Sequence, residues 1–387
     1  MSDTTQHAVA ADYIFDGVTV HRNSAVVIDG ERIVRIAQAA ELPRTTAVRT
    51  MPDGAWLAPG FIDVQVNGGG DVLFNDTPTA AGISAIAAAH RKSGTTALLP
   101  TLISDSTEKM SAAVDAVEEI AGREPSILGI HLEGPYLSPD KPGVHNLRAI
   151  RRPNPQEGEM LMAPRKTVTL VTLAPEQVPA GFIAELANAG VRVSLGHSMA
   201  SYEQTRAAMQ EGLSGFTHLF NAMRPLASRD PGPIAAALES SDVWFGLIVD
   251  GVHVDPAVLR IALRGAGQPM LVTDAMPPVG GSRSRFMLDG QEITVANGRC
   301  LRRDGTLAGA ALDMASAVRN CFSLLAVPLE SALRFASTNP ANFLGLGHRL
   351  GRLAAHYRAD MVAFDPTDIS VLETWVAGRP SAGTSSV

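Results

Sequence analysis

Between Leu57 and Asp274 the chain repeats one rhythm eight times, a short apolar and β-branched run followed by a longer helical stretch or a long loop. The runs are Leu57–Gln65, Thr95–Thr101, Ile127–Glu133, Thr167–Leu173, Val191–His197, Gly215–Leu219, Trp244–Val249 and Met270–Asp274. Alternation of this kind is what parallel strands joined by crossover helices produce. Eight such units in succession close a (β/α)8 TIM barrel. The 387 residues exceed the roughly 250 that a plain barrel needs, so an appended domain is expected. Both ends of the chain supply candidates for it. From Tyr13 to about Thr50 the sequence reads as short strands, with AVVIDGERIVRIA giving two β-rich runs around an Asp-Gly turn. GRLAAHYRADMVAFDP and ISVLETWVAGRP repeat that character near the C-terminus. The expected fold class is therefore α/β, with a β-sandwich formed by residues 1–56 and 346–387 and a barrel over 57–345.

Charge excludes some partners. A net charge of −7, with only 18% charged residues, leaves no basic stripe for a nucleic-acid backbone. Alanine-rich stretches such as Ala80–Ala89 are broken by polar residues long before the roughly 20 apolar positions of a membrane span. Cys300 and Cys321 sit in no CxxC spacing, and MSDTTQHAVA lacks the pattern of a secretory signal. A cytoplasmic protein with reduced thiols is expected.

In such a barrel the chemistry gathers at the C-terminal ends of the strands. The third run ends in HLEGP with Glu133, the fifth in SLGH with His197, the sixth in FTHLF with His218 and the eighth in VTDA with Asp274. A single histidine or glutamate at a strand end is usually a hydrogen-bonded structural residue. Three at neighbouring strand ends form a first-row metal set, with a fourth position left for water. Asp274 is not needed to complete that set and suits a general base, although an aspartate before alanine also caps loops. After the first run the sequence reads IDVQVNGGG, with Gln65 and Asn67 where many metal hydrolases on this barrel carry His-x-His. Amides are weak ligands, so one metal ion rather than two is expected. Gly68–Gly70 lacks the GxxxxGK[ST] pattern and reads as a tight turn.

The motifs PGFIDVQVNG, HLEGPYL, LGHSMA, THLFNAM, DGVHVD, VTDAM and GTLAGAALDM occur in this order across nearly the whole chain. Together they resemble the N-acetylglucosamine-6-phosphate deacetylases of the amidohydrolase superfamily, and the Gln65/Asn67 variant resembles its single-metal branch. By position, the resemblance implies metal ligation by Glu133, His197 and His218 and an acid/base at Asp274. It implies sugar contacts from Val144 and His145, and a phosphate region held by Asn221, Ala222 and Arg229. An acetyl pocket would be lined by Asp250 to His253 and closed over by Leu307, Ala308 and Gly309, with His253 as an oxyanion donor. One divalent ion per subunit is implied, Zn²⁺ first, with Fe²⁺, Mn²⁺ or Co²⁺ also fitting His₂Glu. The substrate would be a small amino-sugar phosphate, and a homodimer would place Arg229 across the interface. The galacto epimer, a cyclic-amide or nucleobase hydrolase, and a barrel without catalysis are the alternatives. The last should lack some of Glu133, His197, His218 and Asp274, and all four are present.

Overall fold

The computed structural model describes residues 6–381. They fall into two compact units, one of residues 6–63, 90–97 and 313–381 and one of residues 64–89 and 98–312. The first unit holds an eight-stranded sheet built from both chain ends. His7–Phe15 pairs antiparallel with Val20–Asp29, which turns through Gly30 (φ +58°) into Arg32–Gln38. Trp56–Pro59 lies parallel to His7–Phe15 on one side and antiparallel to Met361–Asp365 on the other, joining the two ends of the sequence. These strands and Ser370–Val376 bury Val9, Ile14, Val26, Ile28, Leu57, Met361 and Trp375 in one cluster.

The second sheet is the barrel. Its strands are β1 (Phe61–Val66), β2 (Thr95–Ile103), β3 (Gly129–Glu133), β4 (Val168–Leu173), β5 (Arg192–Leu195), β6 (Gly215–Phe216), β7 (Trp244–Leu247) and β8 (Gln268–Leu271), hydrogen-bonded in sequence order. From β2 to β8 every recorded pairing is parallel. The ring closes beyond β8, where the Asp274 N–H donates to the Gln65 carbonyl (3.0 Å) and the Asn67 N–H to that of Ala275 (2.9 Å). Every residue of β1, β2 and β3 is buried, as expected of strands covered on both faces. Inside the barrel a hydroxyl network runs from His131 Nε2 to Thr172 Oγ1 (2.7 Å), on to Thr217 (2.6 Å) and Ser194 (2.7 Å). It satisfies polar groups that would be costly if left unpaired.

The first expected strand is divided. Leu57 belongs to the end-built sheet, and the chain breaks at Gly60, where any Cβ would run into the Thr96 side chain, before β1 begins. After β8 comes an antiparallel four-stranded sheet over Arg285–Leu288, Gln291–Ala296, Arg299–Leu301 and Leu307–Ala310. Two of its turns are Asp289-Gly290 and Asn297-Gly298, all four residues at positive φ, the pairing that two-residue hairpins favour. Phe286, Leu288, Ile293, Cys300 and Ala308 of this sheet bury themselves against Leu73, Ile103 and Met276.

Candidate metal centre and active site

Glu133 is the last residue of β3, while His197, His218 and Asp274 follow β5, β6 and β8 by two or three residues. The last three all take positive φ (48°, 32° and 50°), a backbone region that non-glycine residues seldom occupy. Such strain persists where the surrounding structure over-determines it, and it clusters at functional sites. Here closed ladder bonds fix it: Ser198 N–H to the Ala222 carbonyl (3.1 Å), Leu219 N–H to Gly246 (2.8 Å) and Ala310 N–H to Asp274 (2.9 Å). The consequence is four polar side chains turned inward at one mouth.

Glu133, His197 and His218 are buried, with one ligating atom from each lying within 4.8 Å of the others. Glu133 Oε1 is 3.1 Å from His197 Nε2 and 2.9 Å from His218 Nε2, and the two Nε2 atoms are 3.1 Å apart. His197 Nδ1 lies 2.8 Å from the Lys141 carbonyl, which can only accept, so Nδ1 carries a proton and a ring serving as a metal ligand would turn its Nε2 lone pair to the cluster. Burial alone would raise the Glu133 carboxyl, yet in the cluster without a cation the hydrogen bonds and charges of the two histidines hold it well below the usual range. Burial alone would lower His218, yet Glu133 pushes it up. Two imidazoles and a carboxylate converging on one point, with no apolar group between them, fit a divalent cation.

Gln65 and Asn67 lie beside this cluster. Gln65 Nε2 donates to Glu133 Oε2 (3.2 Å) and to Asp274 Oδ1 (3.3 Å), and Asn67 Nδ2 donates to the same Asp274 oxygen (2.6 Å). Neutral N–H groups therefore stand between the two carboxylates. Burial and then the Glu133 charge raise the Asp274 carboxyl from its ordinary 3.8 to about 6, against the opposing pull of His218, His253 and Asn67. A carboxylate near 6 can both take and return a proton at neutral pH.

A cavity of about 380 Å³ opens above these residues. Its walls include Val144, His145, Asn221, Ala222, His253, Leu307 and Gly309 together with Glu133, His197, His218 and Asp274. The amidohydrolase family model matches residues 56–386.

The chain belongs to the amidohydrolase family.

A Shewanella sp. (strain ANA-3) protein named N-acetylgalactosamine-6-phosphate deacetylase is 44% identical over 328 residues, 84% of this chain and 82% of that one. One from Haemophilus influenzae, named N-acetylglucosamine-6-phosphate deacetylase, is 35% identical over 380 residues, 97% of this chain and 99% of its own. The crystal structure of N-acetylglucosamine-6-phosphate deacetylase from Pasteurella multocida superposes with a TM-score of 0.94 at 35% identity, covering 98% of this chain and all of that one (100%).

In this amidohydrolase the remaining sequence-nominated residues divide. His145 accepts from the Ser104 N–H at Nδ1 (3.2 Å), so its proton is on Nε2; its ring packs 4.5 Å from that of His197, and burial drives its pKa down to about 3. It is a neutral donor in the cavity wall. Asp250, Ala308 and Arg229 do not line the cavity. Asp250 is taken up by its own turn and by His253 Nδ1 (2.6 Å). Arg229 is exposed on a turn fixed by reciprocal Ala227–Asp230 backbone bonds (2.9 and 3.2 Å) and by Arg224 on Asp230 (2.7 Å). Among the described residues that line the cavity, none is arginine or lysine. Sequence reasoning missed Asn75, Thr306 and the Lys141 carbonyl. Asn75 clamps Ile103 through both backbone groups (3.0 and 3.1 Å), and the other two act through chain placement, which residue type does not signal. No helix among the described residues is long and apolar enough to cross a membrane.

Proposed function

We propose that the chain hydrolyses the acetamide of N-acetyl-D-glucosamine 6-phosphate, giving glucosamine 6-phosphate and acetate. The observation that carries this reading is the convergence of Glu133, His197, His218 and Asp274 at one end of a cavity walled by His145, Asn221 and His253. Kinship with deacetylases of both hexosamine epimers supports the substrate class. One divalent ion on Glu133, His197 and His218, Zn²⁺ first with Fe²⁺, Mn²⁺ or Co²⁺ suiting the same donors, would supply Lewis acidity and a water of lowered pKa. Asp274 takes a proton from the attacking water and returns it to the amine as the C–N bond breaks. His253 donates to the acetamide oxygen as charge gathers there. The neutral amide of Gln65 between the two carboxylates, with that of Asn67 on Asp274, supports a single-metal site.

A phosphate dianion calls for a cation, and the cavity wall has no arginine or lysine among its described residues. We infer that Arg229 of a second copy supplies it in a homodimer, forking two charge-assisted hydrogen bonds onto the phosphate. Asn221 and Ala222 would hold the same region, with Val144 and His145 on the sugar and Leu307 and Gly309 over the acetyl group. A cytoplasmic enzyme is the matching location. The galacto epimer is the second reading, favoured by the 44% identical Shewanella relative. Acetate release from both N-acetylhexosamine 6-phosphates and their unphosphorylated forms tests the proposal. Turnover confined to phosphorylated sugars is expected, and equal rates with and without the phosphate would overturn it.

A further inference from the structure

Two separate pieces of chain in the cavity wall are joined by one side chain. Residues 143–146, in the long connection after β3, contribute Gly143, Val144 and His145 to the wall, and the turn 302–306 of the four-stranded sheet after β8 contributes Gly305 and Thr306. Arg302 Nη2 donates to the Val144 carbonyl (2.9 Å). Among the described residues that carbonyl is the guanidinium's one hydrogen-bond acceptor, and Nε is buried without a partner. Arg302 is itself held by its turn: its N–H donates to the Thr306 carbonyl (2.9 Å), and its carbonyl accepts from the Gly305 N–H (3.0 Å). The Val144 side chain packs on the cluster of Phe286, Leu288, Ile293 and Cys300 in the same sheet. A second link, Asn146 Nδ2 to Asp289 Oδ1 (2.9 Å), is exposed, so water competes for it.

The Arg302 bond is the stronger link. Its donor is charged, and it lies at a partly buried position where water replaces it poorly. The His145 ring is tied elsewhere, since its Nδ1 accepts from the Ser104 N–H (3.2 Å) and lies 2.8 Å from Ser104 Oγ, just past β2. Loosening Val144 therefore frees the wall without releasing that ring. A wall already in place spares a ligand the cost of ordering it. We infer that Arg302 is a positioning residue for substrate binding: its grip on Val144 holds residues 143–146 to the turn 302–306 and keeps the cavity preformed. The inference rests on the proposed deacetylase reading for its substrate, an N-acetylhexosamine 6-phosphate. Arg302 touches the wall rather than the substrate, so it acts on binding through Val144.

Arg302→Met keeps the apolar stem and removes the donors. In the zinc-loaded protein KM for N-acetylglucosamine 6-phosphate should rise by about tenfold, the order of one bond to a charged group, with kcat within about threefold of wild type. Exposed Arg303 lacks that bond, so Arg303→Met removes the same charge beside the same turn and should leave KM within about twofold. Arg302→Lys keeps the charge but not the planar fork and should fall between wild type and Arg302→Met; it also carries the test if urea melts show Arg302→Met to be unfolded. Trypsin gives a readout without catalysis. Arg148 is exposed beside the gripped segment, and cutting after it requires that segment to open, so Arg302→Met should be cut there about tenfold faster than wild type. Equal rises in KM for Arg302→Met and Arg303→Met, a loss confined to kcat, or unchanged cutting after Arg148 would overturn the inference. No acetate from the wild type would instead sink the deacetylase reading, and faster cutting in Arg302→Met would then still uphold the grip.

Discussion

Replacing Asp274 by asparagine exchanges one oxygen for an NH₂ and leaves the shape of the side chain alone. The amide oxygen can still accept from Asn67 Nδ2 and Gln65 Nε2, now 2.6 and 3.3 Å from Asp274 Oδ1. What disappears is the capacity to hold a proton. Loss of a general acid/base costs about 10²–10⁴ in rate, or roughly 3–5 kcal/mol of transition-state stabilisation. Stability should move the other way. In the metal-free protein the folded-state carboxyl is raised from 3.8 to about 6, so ionised Asp274 is penalised on folding. The penalty is full above about pH 6 and vanishes only once pH falls below the unfolded value, where the carboxyl is protonated in both states. Two units correspond to about 3 kcal/mol as an upper bound. Metal-free Asp274→Asn should therefore be the more stable protein at pH 8 in urea melts, with the difference from wild type gone by about pH 3. Acetate release by the metal-loaded variant should be at least 100-fold slower. Near-normal kcat, or a variant less stable than wild type at pH 8, would refute the reasoning.

His197→Ala or His218→Ala should lower bound metal and activity together, as elemental analysis and acetate assays can show; metal retained at wild-type level would make that histidine structural. Within the long segment after β3, buried Glu157 takes Arg151 (2.6 Å), and Thr107 from the helix after β2 donates to the same carboxylate (2.6 Å), so Arg151→Met should cost about 3–5 kcal/mol in urea unfolding. Burial would raise Glu157, but Thr107 and Arg151 depress it below its ordinary 4.5, so its contribution is present above that value and lost as pH falls through the folded one. A melting profile in which wild type and Arg151→Met stay equally far apart down to pH 2 would contradict this. Mixing Arg229→Ala with Asp274→Asn should restore activity after subunit exchange, because one mixed site has an intact Asp274 and a borrowed Arg229. No recovery despite proven exchange would confine Arg229 to its own chain.

The barrel was legible because its strands are buried on both faces and so read as unbroken apolar runs. Glu133, His197, His218 and Asp274 could be named because the fold places strand ends together, which converts spacing along the chain into proximity. The split at Gly60 was hidden, since Leu57 and Phe61 look alike in hydropathy and only the approach of Thr96 separates them. The four-stranded insert had a readable signal in Asp289-Gly290 and Asn297-Gly298, two hairpin turns at close spacing. The burial of Cys300 within it, which pushes the thiol up to about 12, accords with a cysteine outside any disulfide or metal spacing. The position of Asp250 was not readable: a contiguous DGVH stretch does not reveal that one side chain faces the cavity and the other grips it from behind.

Zinc titration into metal-stripped protein, followed by acetate release from N-acetylglucosamine 6-phosphate and its galacto epimer, tests the central claim most directly. A single-metal deacetylase should gain activity linearly to one ion per chain and then level off, releasing one acetate for each amino-sugar phosphate formed. Activity that needs a second tightly bound ion, or no acetate from either epimer with the Glu133–His197–His218 site filled, would contradict the account.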